Sequence, residues 1–380
     1  MLSFIARGCF VLCFFAFVLV AAQPNCLARE QTFKLDAPRG LALAPSGALY
    51  VADTGNHRVL RRERDGRVSV FAGTGKAAFS GDRGPAVSAA LSSPRGLAVD
   101  GAGNLYIADS GNHRVRRVDA ASGVIETVAG TGAAGFSGDK GAAVAAQLNN
   151  PVSVALDKRG DLFIADAENR RVRRVEAKTG VIGTYAGSES EAALNESSLV
   201  DLTKFFFGAG LGDGGKATDA ALRAPCDLHV EQDGDLYIAD SGTSRIRRVG
   251  SRLKLINKVL ATGYFINSPW EGSDRRERAE GSPLGIALDA KGNIYIASSA
   301  HQLQFWRKGS ESVEVLAGKV VADPSEPREG FADGALKEAL FHEPSELVVD
   351  AGGNLIVADS GNNRVRYVDL KKRVVTTLVG

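Results

Sequence analysis

From Pro38 onward, the hydrophobic and polar positions repeat one pattern. In the second copy, residues 96–100 alternate small residues with Leu and Val. The turn Asp100-Gly-Ala-Gly103 follows, then an unbroken apolar run at residues 105–108. Alternation marks a strand with two unlike faces, and an unbroken apolar run marks one covered on both. Asp bonds its own turn and Gly tolerates positive φ, so residues 100–103 predict a hairpin. Arg114 to Val118 form a third run, and Ala121-Ser-Gly123 turns the chain into a fourth at residues 124–129. Four short strands in about 37 residues predict an antiparallel meander.

Copies begin at Pro38, Pro94, Pro151, Pro225, Pro283 and Pro344, 56 to 74 residues apart, and the last reaches Gly380. One four-stranded sheet alone leaves both faces wet, whereas six arranged radially cover one another and expose only short edges. The expected fold is therefore all-β: a six-bladed β-propeller of four-stranded blades over residues 37–380.

Pro94-Arg-Gly-Leu-Ala-Val-Asp100, Gly103-Asn-Leu-Tyr-Ile-Ala-Asp109 and Asn112-His-Arg-Val115 resemble the NHL repeat, named for Asn-His-Leu, here with Arg in place of Leu. The resemblance covers residues 37 to 380 and implies six blades. It says little about function, because such propellers serve as binding platforms, sensors and occasional enzymes. The family includes a lyase of peptide amidation that uses a channel metal and several histidines. Only His229 of the five histidines lies on an inner strand here, so none of those ligands carries over.

Each repeat is about twenty residues longer than a bare blade. Phe79-Ser-Gly-Asp-Arg-Gly-Pro85 precedes blade two and Phe136-Ser-Gly-Asp-Lys-Gly141 precedes blade three, with shorter forms at Gly212-Asp-Gly-Gly215 and Gly330-Phe-Ala-Asp-Gly334. The Ala-rich residues that follow are expected to form short helices capped by the Asp. This longer form resembles repeats of bacterial exported proteins and teneurin-type surface proteins. The insertions leave equivalent points, so they are expected on one face, which becomes the binding face.

The chain has 380 residues, a net charge of +2 and 44 glycines. That glycine content favours turn-rich β structure over a helical bundle. Near-neutral charge and the lack of aromatics among the basic residues speak against nucleic acid. Residues 8–22 carry no charge after Arg7, a length suited to a signal peptide and short for a membrane span. Residues 1–22 are read as a signal peptide cleaved between 22 and 28, and residues 23–36 as an N-terminal segment. Membrane attachment is expected only if the signal is retained as an anchor. The protein is expected to be a secreted, periplasmic or cell-surface monomer. Cys9 and Cys13 leave with the signal, and Cys26 and Cys226 alone make no disulfide framework. Asn195-Glu-Ser197 is a sequon only in a glycosylating host, and Phe205-Phe-Phe207 sits in the longest gap between copies.

Asp53, Asp109, Asp166, Asp240 and Asp359 end the second strands, and Arg58, Arg114, Arg171, Arg245 and Arg364 begin the third. Blade five has Ser298 and Leu303 or Gln304 instead, so Asp and Arg disappear together. That joint loss predicts structural ion pairs. The clusters Arg61-Arg62, Arg116-Arg117, Arg173-Arg174 and Arg247-Arg248 are read as solvated arginines that blunt sheet edges. His57 and His113 share a turn position with Arg170, Ser244 and Asn363, which marks a surface turn rather than a ligand. His-x-x-His, paired-Cys, Gly-x-Ser-x-Gly and phosphate-loop patterns are all missing.

Blade four departs from the rest. Its first strand carries Asp227, His229 and Glu231 where blade two has Gly96, Ala98 and Asp100, and period-two spacing puts all three on one face. Glu346 and Ser153 are the equivalents of Asp227 in blades six and three. Lining the channel, these groups suit a polar ligand or a divalent cation, Ca²⁺ for the carboxylates or Zn²⁺ with imidazole. The plainer reading is a replaced hairpin Asp at Glu231 and a polar Asp227–His229 pair facing water. A non-enzymatic scaffold for a protein, peptide or glycan is the function expected, with a channel-metal enzyme as the alternative.

Overall fold

The computed structural model describes residues 33–188, 211–262, 281–320 and 329–380. The expected signal peptide, Cys26, the Asn195 sequon and Phe205–207 lie outside them. Six antiparallel sheets follow one another along the chain, each with its first four strands in sequence order. Blade two is typical, with strands Pro94–Val99, Leu105–Asp109, Arg114–Val118 and Val124–Ala129.

The unbroken apolar runs become second strands buried on both faces: every residue of Leu49–Asp53, Leu162–Asp166, Leu236–Asp240, Ile294–Ser298 and Leu355–Asp359 is buried. Apolar clusters fill each gap between neighbouring blades. The last gap closes the ring, with Leu35, Leu41, Leu49, Val51 and Leu60 of blade one packing on Ile356, Ala358 and Val365 of blade six. Among the described residues no strand is exchanged across this seam, because both blades are built from consecutive residues. Near the axis the first strands crowd together. A Cβ at Gly40 would lie 1.8 Å from the Arg95 carbonyl oxygen, and one at Gly285 2.4 Å from that of Ser345, so only glycine fits.

The turn after each second strand ends in a left-handed residue: His57, His113, Arg170, Ser244, His301 or Asn363, with φ of 50° to 61°. These residues are more than surface turns, because most latch the next blade. The Nδ1 atoms of His57, His113 and His301 accept the backbone N–H of Ser93, Asn150 and Glu343 at 3.0, 3.1 and 3.0 Å. Asn363 Oδ1 accepts Ala37 N–H at 2.7 Å across the seam, and the Ser244 and Ser282 hydroxyls bond at 2.8 Å.

The buried aspartates do bind arginines, but mostly not the expected ones. Asp53 pairs with Arg58 at 2.8 Å as read from the sequence. Asp109, Asp166 and Asp359 instead pair with Arg116, Arg173 and Arg366 at 3.5, 3.4 and 2.7 Å. Arg114, Arg171, Arg245 and Arg364 stand opposite the aspartates in register, yet donate to the carbonyls of Thr131, Asn169, Thr243 and Gly380. Asp240 accepts from the Thr243 hydroxyl at 2.7 Å. Alternation explains the shift: the residue two along a strand lies on the same face, one step deeper.

Arg116, Arg173, Arg247 and Arg366 are consequently fully buried rather than solvated edge residues. Each also grips the insertion ahead of its blade, through Asp82, Asp139, Asp213 and Asp333 at 2.6–2.8 Å. The insertion aspartates therefore bond arginine instead of capping helices, and the Ala-rich segments are single 3-10 turns, Ala86–Ser88, Ala143–Ala145 and Ala217–Asp219, without side-chain caps. Gly84–Pro85 and Gly334–Ala335 add fifth strands to the outer edges of blades two and six. These two-residue strands cover one end of each outer edge.

Arg173→Ala strands Asp166 and Asp139 and is expected to cost about 3–5 kcal/mol, as breaking a buried pair does. Arg117→Ala, at a partly exposed side chain, is expected to cost under about 1 kcal/mol. Urea unfolding measures both, and equal small losses would remove the buried guanidinium from its anchoring role.

Candidate functional site

The first strands run beside the axis, and their alternation sorts side chains into levels. Two residues past each proline stand Gly40, Gly96, Ser153, Asp227, Gly285 and Glu346. Two further on stand Ala42, Ala98, Ala155, His229, Ala287 and Val348. Small residues in most blades leave the channel to the few large polar ones.

The expected convergence occurs in part. Asp227 is buried, and its Oδ1 accepts the Ser153 hydroxyl and the Leu228 N–H, each at 2.8 Å; its Oδ2 accepts the Ile286 N–H at 2.8 Å. Burial pushes this carboxyl up to about 6 even though those three bonds favour the ionised form. Glu346 accepts the Leu41 N–H, and burial together with the Asp227 charge raises it well above the ordinary glutamate range. Ser153, Asp227 and Glu346 thus form one polar level across blades three, four and six.

His229 lies on the next level, and burial lowers its imidazole to about 4, so it is neutral near pH 7. Glu231 is at the far hairpin, where its carboxylate accepts from Tyr237 Oη at 3.2 Å and stands 3.7 Å from Lys308 Nζ. His229 and Glu231 line a cavity of about 340 Å³ at that end. Among the described residues no three His, Cys, Asp or Glu side chains are grouped to hold a metal ion. The donors available to a Ca²⁺ or Zn²⁺ at the Asp227 level are therefore two carboxyls and a hydroxyl, with both Asp227 oxygens already engaged.

A larger cavity, about 530 Å³, opens at the proline ends of the first strands, the face from which the insertions lead in. The residue after each proline lines it: Arg39, Arg95, Val152, Cys226, Leu284 and Ser345. Asp227 and Glu346 also line it. Cys226 donates its Sγ–H to the carbonyls of Ala239 and Pro283, and burial pushes the thiol up to about 12, so it is no nucleophile. Sequence reasoning missed Arg39 and Arg95. The signal was present: the x of Pro-x-Gly is arginine in blades one and two and uncharged in the other four.

An NHL repeat model matches residues 35–61, 91–118 and 341–366, at the same strand-one to strand-three positions in blades one, two and six. The chain carries NHL repeats. This NHL-repeat propeller is 31% identical over 299 residues to Protein SUPPRESSOR OF QUENCHING 1, chloroplastic, of Arabidopsis thaliana, covering 75% of this chain and 26% of that protein. It is 25% identical over 361 residues to NHL repeat-containing protein 2 of Bos taurus (87% and 46%) and 27% identical over 386 residues to Teneurin-4 of Homo sapiens (93% and 13%). The chain thus spans less than half the length of these relatives. A streptogramin B lyase structure superposes with TM-score 0.53 at 10% identity, covering 92% of this chain and 84% of the lyase; the likeness is one of fold.

The raised Glu346 carboxyl has a stability consequence. A folded-state pKa above the unfolded one means that ionisation opposes folding, so stability falls as pH rises past about 4.5, the ordinary glutamate value. Glu346→Gln is expected to match the wild type at pH 4 and exceed it at pH 7 in thermal denaturation. A constant difference across that range would show that the carboxyl is not desolvated.

Proposed function

We propose that this protein is an exported, non-enzymatic binding propeller that takes a protein, peptide or glycan ligand in the axial cavity of its insertion-bearing face. The observation that carries the reading is the composition of that cavity: all six blades contribute the same strand position, and apolar, cationic and carboxyl groups face one space there. Cavities of a few hundred Å³ with apolar walls and a few convergent polar groups are typical of ligand sites. Export rests on residues 1–22. On this reading, protein recovered outside the cytoplasm begins between residues 23 and 29, as N-terminal sequencing checks; a retained leader with membrane association would make the run an anchor.

Leu284→Arg projects a long charged side chain into the cavity. In peptide and glycan array binding, wild type is expected to retain one ligand class, Leu284→Arg to lose it at least tenfold, and Phe79→Ser, at the exposed rim, to keep it. Retention by all three proteins would move the site off the axis. The second reading is a channel metal or enzyme site, favoured by the neutral His229 imidazole, which is in the state a metal ligand needs. A Ca²⁺- or Zn²⁺-dependent rise in melting temperature that Asp227→Ala, His229→Ala and Glu346→Ala abolish would favour it over the scaffold.

A further inference from the structure

Two arginines, Arg39 and Arg95, stand at the cavity mouth. Arg116, Arg173, Arg247 and Arg366, the fully buried arginines of blades two, three, four and six, are each bound to a carboxylate and to carbonyl groups. Arg39 and Arg95 are half-buried, and neither forms an ion pair or hydrogen bond with a described residue; Arg95 Nε is buried without a partner. They are also held close. Gly40 packs its Cα against the carbonyl of Arg95, so the first strands of blades one and two bring both side chains to one side of the cavity. Each guanidinium feels the other's repulsion, and burial together with Arg39 lowers the Arg95 pKa, which Glu168 only partly offsets.

Two like charges in one half-enclosed space are a cost that folding does not require, since Val152 and Leu284 fill the same strand position in blades three and five without charge, and Glu168 and Glu343, which line the same cavity, form no ion pair with either guanidinium. A bound anion removes that cost, and paired guanidinium groups match the two oxygens of a carboxylate. Also lining the cavity, Glu346 carries a carboxyl that favours its protonated form, beside Asp227. Such groups bind hydroxyls, whereas a second ionised carboxylate there would meet Asp227. Val152 and Leu284 offer apolar wall for carbon–hydrogen surface.

We propose that Arg39 and Arg95 form a carboxylate subsite and that the ligand is a hydroxylated acid, namely the uronic-acid residue of an acidic glycan. The acid group sits on the two guanidiniums and the ring hydroxyls face Glu346. This rests on the axial cavity being the ligand site.

The test is isothermal titration of the full chain with glucuronate, galacturonate and their short oligomers. Neutral glucose, an acidic Asp/Glu peptide and inorganic phosphate serve as the other probes, and thermal denaturation checks folding. Saturable uronate binding is expected, with glucose at least tenfold weaker. Arg95→Gln and Arg39→Gln are each expected to lose about tenfold, the scale of one charge-assisted hydrogen bond. Arg95→Lys recovers part of the loss, and rim Arg117→Gln changes nothing. Uronate binding that Leu284→Arg blocks but both Gln variants leave intact would overturn the carboxylate subsite while keeping the cavity. Binding insensitive to Leu284→Arg would overturn both. Phosphate or the acidic peptide binding as well as uronate, or no saturable uronate binding, would overturn the sugar-acid assignment.

Discussion

A carboxylate buried at the end of the second strand organises five of the six blades. Asp109 accepts the backbone N–H of Ser92, which leads into its own blade, the Asn112 side chain of the following turn, and the guanidinium of Arg116. Asp53, Asp166 and Asp359 do the same with Asp36, Asn149 and His342 and with Asn56, Asn169 and Asn362. One charged group thus joins lead-in, turn and insertion. Such a group is costly to bury alone, and burial duly raises the Asp109 carboxyl to about 6. Its network is what makes it tolerable, and blade five, with Ser298 in this place, does without both acid and arginine.

The architecture was legible because its signals were redundant. Six copies of a doubly apolar strand between Gly-containing turns admit few arrangements other than radial stacking. The site was legible only where a side chain broke the repeat, as Asp227, His229 and Glu346 do against Gly and Ala elsewhere. What the sequence concealed was depth. Period two names the face of a strand but not how far along it the partner sits, so the joint loss in blade five pointed to Arg114 as the mate of Asp109, a place that Arg116 takes. A correlation in the chain separates them: Asp82, Asp139, Asp213 and Asp333 occur in the insertions ahead of the four blades that carry Arg116, Arg173, Arg247 and Arg366. Leu60 and Gln304 stand at that position in the other two.

The division between scaffold and site follows from this. Charges at the outer part of the blades are consumed in holding insertions and turns, and Phe79, Phe136 and Phe331 stack on the same arginines. At the axis, crowding removes side chains from three blades and leaves Ser153, Asp227 and Glu346 to define the polar floor, under a mouth where Arg39 and Arg95 stand together. The arginines that hold the insertions are therefore not the ones at the cavity mouth.

The seam between blades six and one has a mechanical meaning. Elsewhere the peptide chain itself ties neighbours together; at the seam, apolar contact and a few side-chain bonds such as Asn363 to Ala37 carry the whole load. Because neither blade borrows a strand from the other, the two ends part without tearing any sheet. A ring built this way parts first where its two ends meet, and each wedge stays whole when it does.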